Sequence, residues 1–401
     1  ATSLAPLLLY RIGQGAFGAP LVPLSQAIVV ATYPPEKRAM AQGLFGMAVV
    51  VGPAIGPVFG GYLAEAYNWR WVFILLVPLC LAAQILVLAF IRERGRQANA
   101  RLDWTGFIAL GLAVTCLQLL MDRGERLDWF DSPEIILLTT AMAVSFWVFL
   151  AHTFTAEKPF ISPGLFLDRN FTIGLVIVFV YGMLNFTPIT LLPPLLQGLK
   201  GYPDSLIGFL LATRGAGLVA GFFIAGRMGG LDPRIGLTIG LGLVAWSGIM
   251  LMAFEIGTSV SELAWMGFIQ GLGCGLMWVP LSIVVFATLP PERLPEASAI
   301  FHLIRNFGSS IFISISVMAA ARTSRIMYSE LAENASPLNE VLSWPWAMGP
   351  RTLENLTGVL SFAREIGEQA TLIGYLNAFL LYTAAAFAAM PFLLLVRIKR
   401  R

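Results

Sequence analysis

Eleven runs of about twenty mostly apolar residues follow one another along this 401-residue chain, each long enough to cross a hydrocarbon layer about 30 Å thick. In lipid a segment must satisfy its own backbone groups, so each run is expected to cross as a helix. The expected spans are roughly 4–32, 42–64, 71–91, 105–121, 133–151, 171–191, 206–227, 235–254, 263–287, 298–320 and 371–396. An all-α membrane protein follows. With only 12% charged residues, the chain lacks the quarter or so that keeps a soluble domain in water. A net charge of +3 gives no reason to expect a nucleic-acid partner. Cys80, Cys116 and Cys274 fall inside apolar runs, as small core residues do, and suggest no disulfide framework. Arg11 interrupts the first run, which therefore does not read as a cleavable leader.

Positive charge orients the bundle, because cytoplasmic loops retain Lys and Arg. With the first residue outside, fifteen basic residues fall in cytoplasmic segments, including Lys37, Arg38, Arg227, Arg234, Arg293 and the Arg-Ile-Lys-Arg-Arg terminus. Eight fall outside, four of them in one long external loop expected at about 321–370. The remaining three, Arg11, Arg214 and Arg305, lie within spans.

The chain also repeats itself. Gln14-Gly15 heads a Gly-rich run ending at Pro34-Pro35-Glu36-Lys37-Arg38, and Gln270-Gly271 heads another ending at Pro290-Pro291-Glu292-Arg293. Between these anchors Val22-Pro23-Leu24-Ser25 pairs with Val279-Pro280-Leu281-Ser282. Eight spans separate the two copies, an even number that keeps them parallel, as duplicated halves about an axis along the membrane normal require. The first three spans then match the ninth to eleventh, and the fourth and fifth are left over. The expected organisation is residues 1–91 as three helices of an N-terminal bundle, 92–170 as an inserted helix pair with linkers, and 171–401 as a six-helix bundle. Symmetry implies a parent of fourteen helices, three of which would precede residue 1.

Several motifs sharpen this. Arg11-Ile12-Gly13-Gln14-Gly15-Ala16-Phe17-Gly18-Ala19 and Gly52-Pro53-Ala54-Ile55-Gly56-Pro57-Val58-Phe59-Gly60-Gly61 stand on the first two spans. Asn68-Trp69-Arg70-Trp71, Leu127-Asp128-Trp129-Phe130, Gly226-Arg227 with Asp232-Pro233-Arg234, and Arg305-Asn306 with Gly308 stand at later positions. Together they resemble the major facilitator superfamily, specifically its fourteen-helix drug:proton antiporters of the EmrB/QacA type. The resemblance covers essentially the whole chain. Leu76 and His302 depart from it, each standing where Asn is common.

The resemblance implies proton-coupled efflux of hydrophobic or cationic small molecules by alternating access, from a bacterial inner membrane, with no cofactor. It implies proton coupling at Arg11 and Gln14, and an antiporter seal or hinge at Gly52, Pro53, Gly56, Pro57, Gly60 and Gly61. It also implies a periplasmic adaptor and an outer-membrane channel as partners. From the residues themselves, an intramembrane Arg11 should face the bundle interior and pair. Glycines every fourth residue, at 52, 56 and 60 and again at 267, 271 and 275, form stripes that let another backbone approach. A midplane cavity between halves is expected to draw its wall from Phe17, Tyr181, Asn185, Phe186, Arg214, Gln270, Trp278, His302 and Arg305.

Other readings fare worse. Gly13-Gln14-Gly15-Ala16-Phe17-Gly18 spells a dinucleotide fingerprint, but inside an apolar helix with no strand before it. His152 and His302 have no evident metal-ligating neighbours, and no converging polar cluster suggests an enzyme. An importer or uniporter of the same fold is the nearer rival. Acidic residues near spans, such as Glu65, Asp122, Glu134 and Glu255, fall at ends, so a coupling carboxylate is expected to lie upstream of residue 1.

Overall fold

The computed structural model describes residues 3–91, 103–157, 159–333, 339, 344 and 356–395. All eleven expected spans are helical among the described residues. The second span is α3 (Pro35–Ala66), whose stretch from Gly43 to Gly60 carries no charged residue. The first span is broken into α1 (Leu4–Gly18) and α2 (Leu21–Thr32) beside Pro20, and the third into α4 (Arg70–Ile74) and α5 (Leu76–Phe90). Pro78 explains the second break, since it offers no N–H to the Ile74 carbonyl four residues back.

The helices α6 (Trp104–Arg123) and α7 (Pro133–Thr155) form the fourth and fifth spans. They are followed by α8 (Arg169–Lys200), α9 (Asp204–Arg227), α10 (Pro233–Met252), α11 (Val260–Phe286), α12 (Leu294–Glu333) and α13 (Leu356–Ala389). One end of the bundle, where the chain turns at 33–34, 228–232 and 287–293, carries Lys37, Arg38, Arg234 and Arg293 and is called the basic end below. The opposite end is the far end.

Glycine draws the last six helices together. On α9 and α11, β-carbons at Gly217, Gly221, Gly271 or Gly275 would each strike backbone of the other helix. The glycine stripe expected on the ninth span is thus a close-packing surface, for Gly271 and Gly275. Likewise Gly182 of α8 abuts the Arg305 backbone of α12, and Gly308 of α12 abuts the Phe179 backbone of α8. Such reciprocal contacts favour helix association where lipid tails remove any hydrophobic drive.

The α6–α7 pair is fastened to α12 at both ends. At the basic end Ser162 donates its backbone N–H and its hydroxyl to Glu296. At the far end Glu125 pairs with Arg325 and lies 3.5 Å from Arg322. Asp103 caps α6 by accepting the Gly106 N–H at 3.0 Å, and also accepts from Phe160 N–H at 2.9 Å and His152 Nε2 at 2.8 Å. The Gly106 amide above all, against some desolvation and helped by His152 and Phe160, holds this carboxyl below its ordinary value.

The long external loop expected at 321–370 is mostly not a loop. α12 continues to Glu333 and α13 begins at Leu356, so both helices run past the length a bilayer needs. At 40 residues, α12 extends about 60 Å against a core of about 30 Å. The extension of α12 begins against α13, where Asn377 Nδ2 donates to Thr323 Oγ1 at 2.9 Å and Gly374 abuts Ala320 and Ser324. Between residues 334 and 355 only Asn339 and Trp344 are described.

Candidate functional site

The N-terminal helices meet the C-terminal ones along a seam that is sealed at its basic end. There α3 lies on α9: a β-carbon at Gly43 would sit 2.8 Å from the Phe222 carbonyl oxygen and 3.1 Å from Gly226 Cα. Beside it runs a polar network whose members are all almost completely buried. Gln26 of α2 accepts from His302 Nε2 at 2.8 Å and from Ser298 Oγ at 3.2 Å, both on α12. Its Nε2 donates to Ser282 Oγ of α11 at 3.3 Å and to Gln42 Oε1 of α3 at 3.4 Å. Ser298 also donates to the Pro23 carbonyl at 3.0 Å. One glutamine therefore ties both sides of the seam, and it does so between the two helices that the repeat relates, 256 residues apart.

Towards the far end the seam is different. Met47 and Val50 still pack on the C-terminal core, and beyond them Val51, Gly52, Ile55, Gly56 and Phe59 of α3 are exposed. No described atom lies within 4 Å of where a β-carbon would stand at Gly52 or Gly56, and Gly60 would meet only Val72 Cγ1 at 3.9 Å. The close backbone approach expected at this stripe is thus not made among the described residues: nine residues at about 100° each put Gly52 half a turn round α3 from Gly43, so the stripe looks away from α9. Pro53, Pro57 and Gly61 are helical, but their surroundings lie outside what the structure describes.

Arg11 and Gln14 come together, with Arg11 Nη1 donating to Gln14 Oε1 at 2.7 Å and its guanidinium 5.8 Å from the Phe73 ring. Arg11 was expected in the bundle interior. Instead it is exposed, as α1 contributes no buried residue, and its hydrogen-bond acceptor is an amide. Phe17 is 84% exposed and stands apart from the rest of the expected wall.

The other eight expected residues do converge, on α8, α9, α11 and α12. Pro188 leaves the Leu184 carbonyl without its helical donor, and Gln270 Nε2 supplies one at 3.0 Å. Gln270 Oε1 accepts from Arg214 Nε, while Arg214 Nη2 donates at 2.7 Å to both the backbone oxygen and Oδ1 of Asn185. Arg214 is buried, and these partners are neutral oxygens. Nearby Arg305 lies 5.7 Å from the Phe186 ring and 5.5 Å from the Trp278 ring. Trp278 in turn packs on Tyr181, Phe301 and His302, with centroids 5.4, 5.3 and 5.9 Å apart. Two guanidiniums set among aromatic faces and amides make this an electropositive, largely dehydrated wall.

A cleft of about 1330 Å³ opens at the basic end, lined by Glu36 and Arg38 on one side and by Asp168, Asp232 and Ser282 on the other. Gln42 and Ser282 line it and belong to the network, so the network closes the passage from cleft into seam. Sequence reasoning missed Gln26, Gln42 and Ser298 as site residues. The repeated Val-Pro-Leu-Ser did carry a signal, since Ser282 ends its second copy and Gln26 directly follows its first.

Two helical bodies meeting at a seam sealed at one end, with buried polar groups along it, define a membrane transporter. Comparison with known proteins agrees. The model of the Major Facilitator Superfamily matches residues 1–162 and 174–349. The chain is 36% identical to Multidrug export protein EmrB of Escherichia coli (strain K12), over 84% of this chain and 67% of that protein. It is 30% identical to Probable multidrug resistance protein EmrY of the same strain, over 98% of this chain and 78% of that protein. It is 29% identical to Multidrug export protein EmrB of Haemophilus influenzae (strain ATCC 51907 / DSM 11121 / KW20 / Rd), over 93% and 74% respectively. The chain belongs to the Major Facilitator Superfamily and is a multi-pass membrane protein of a transporter family, not of an enzyme family.

Proposed function

We propose that this chain exports hydrophobic or cationic small molecules from the bacterial cytoplasm across the inner membrane, in exchange for protons, by alternating access. The observation that carries this is the seam, tied shut at the basic end by the Gln26 network between a cleft of about 1330 Å³ on one side and the buried polar wall on the other. A transporter caught in one of its two alternating states has this form. The multidrug-export relatives support the direction and the substrate class.

In this reading the basic end is cytoplasmic, the first residue lies outside, and the state is outward-open. Residues 1–91 belong to an N-terminal bundle, 92–170 form an inserted pair, and 171–401 make the C-terminal bundle. Arg11 and Gln14 act in proton coupling, and the segment from Gly52 to Gly61 is the hinge along which α3 moves against α9. Tyr181, Phe186 and Trp278 offer an apolar face to substrate, with Asn185, Gln270, Arg214, Arg305 and His302 around it and Phe17 facing them across the seam. A cationic centre sits best away from the two guanidiniums, towards the N-terminal side. The helical extensions of α12 and α13 face the periplasm, where an adaptor and outer-membrane channel would dock.

One proton crossing 100 mV releases about 2.3 kcal/mol, and one pH unit adds about 1.4, together enough for roughly a 500-fold gradient of a neutral substrate. The test is dye transport in sealed vesicles holding the purified protein under an imposed pH gradient. Accumulation that collapses with a proton ionophore supports exchange; transport indifferent to the ionophore contradicts it.

A further inference from the structure

We propose that His302 is a proton-binding site whose ionisation releases the cytoplasmic seal, giving the seam a proton-sensitive latch. This rests on the alternating-access reading above and adds to it the place where one proton acts. Four observations converge on His302.

First, its Nε2 lies 2.8 Å from Gln26 Oε1, across the seam. An amide oxygen can only accept, so the ring holds its hydrogen on Nε2 and its lone pair on Nδ1. Second, Nδ1 is buried and has no hydrogen-bond partner. A proton added there would place an N–H, and a full positive charge, in a dry pocket with no acceptor. Third, the surroundings offer no negative charge among the described residues. α2 presents Gln26, α3 presents Gln42, and α11 presents Trp278 and Ser282. On its own helix Ser298 and Phe301 are neutral, and Arg305, one turn along, is a cation that opposes a second. Tyr181, the nearest ionisable group on α8, reaches the ring only through Trp278. Fourth, His302 is 5% exposed because the two halves meet over it. Parting them takes Gln26 from Nε2 and admits water to the ring.

The sealed state therefore excludes the imidazolium, and the parted state admits it. Linkage fixes the sign: whichever state binds the proton more tightly gains as pH falls, so protonation favours opening at the basic end. Protonation of His302 thus shifts molecules from the outward-open to the inward-open form, and loss of the proton lets the seal re-form.

The chain has two histidines, so His152→Gln leaves His302 as the single imidazole, and ¹⁵N-histidine resonance on the protein in lipid nanodiscs reads its titration directly. In parallel, spin labels at the exposed Thr32 and Thr288, in a Cys80→Ser background, report the width of the basic end. Between pH 7.5 and pH 5.0 the ratio of sealed to open molecules should fall at least fivefold, with the imidazole titrating alongside. His302→Asn keeps an N–H for Gln26 but cannot ionise; it should stay sealed at both pH values. His302→Phe, lacking the donor, should open at both. The proposal is overturned if His302→Asn follows the unmodified protein, or if the imidazole stays neutral while the seam opens. Labels that never separate, in any variant or with substrate, would overturn the transport reading along with it.

Discussion

Replacing Gln26 by Leu tests the seal at its centre. The side chain makes two hydrogen bonds to α12, at 2.8 and 3.2 Å, and two longer ones, to α11 and α3, at 3.3 and 3.4 Å. Leu fills a similar volume, so packing changes little, but no polar atom remains to join the halves. A buried hydrogen bond contributes about 1 kcal/mol net, and within membranes about 0.6 on average. Counting only the two shorter bonds, the sealed state loses about 1–2 kcal/mol, roughly a 5- to 30-fold fall in the sealed-to-open ratio. Leaving the His302 N–H without an acceptor adds to this. Double electron–electron resonance between labels at Thr32 and Thr288 reads the two populations directly. A seal favoured tenfold would be nearly balanced or reversed by the substitution. If the distance distribution of Gln26→Leu matches that of the unmodified protein, the network does not hold the seam and the reasoning fails.

Three further substitutions probe the scaffold. Gln270→Leu removes the Arg214 Nε acceptor and leaves a buried cation short of a partner; thermal unfolding in detergent should show a loss of about 1.5–3 kcal/mol, partly restored by adding Arg214→Leu. Gly182→Ala drives a methyl into the Arg305 backbone and should cost about 1–3 kcal/mol in the same assay, whereas Gly13→Ala, with no described atom within 4 Å, should be neutral or slightly stabilising. Asp103→Asn should destabilise the protein at neutral pH. Because the folded carboxyl titrates below its ordinary value of 3.8, its contribution is present above that value and fades as pH falls through the lowered one. Acid-unfolding curves of the two proteins should therefore converge below about pH 3.8, and a constant gap would contradict the capping role.

The spans were legible because a membrane imposes length and apolarity on each helix separately, and neither depends on the rest of the fold. α3 shows it: its first turn holds Glu36, Lys37 and Arg38, yet from Gly43 to Gly60 it carries no charge. The wall on α8, α9, α11 and α12 was legible for a related reason. Polar groups such as Arg214, Gln270 and Arg305 are costly in lipid, so their presence in apolar runs already implied that they face each other. What the sequence did not carry was pairing across distance. Nothing near Gln26 indicates a histidine 276 residues away, and Gln42 and Ser298 are unremarkable where they stand. The continuation of α12 beyond the membrane was hidden too: residues 321–333 are polar and read as loop, yet their helix is held by Asn377, Gly374 and Glu125 on other segments. The exposure of Arg11 ran against expectation because the argument from membrane cost says that an arginine needs shelter, not where its shelter comes from.

The central claim is that one seam opens at alternate ends. Two label pairs on the protein in nanodiscs measure it, Thr32 with Thr288 at the basic end and Leu8 with Ser205 at the far end, all four exposed. On adding an exported dye or lowering the pH, the basic-end distance should lengthen while the far-end distance shortens. Distances that stay fixed, or that lengthen together, would contradict the account.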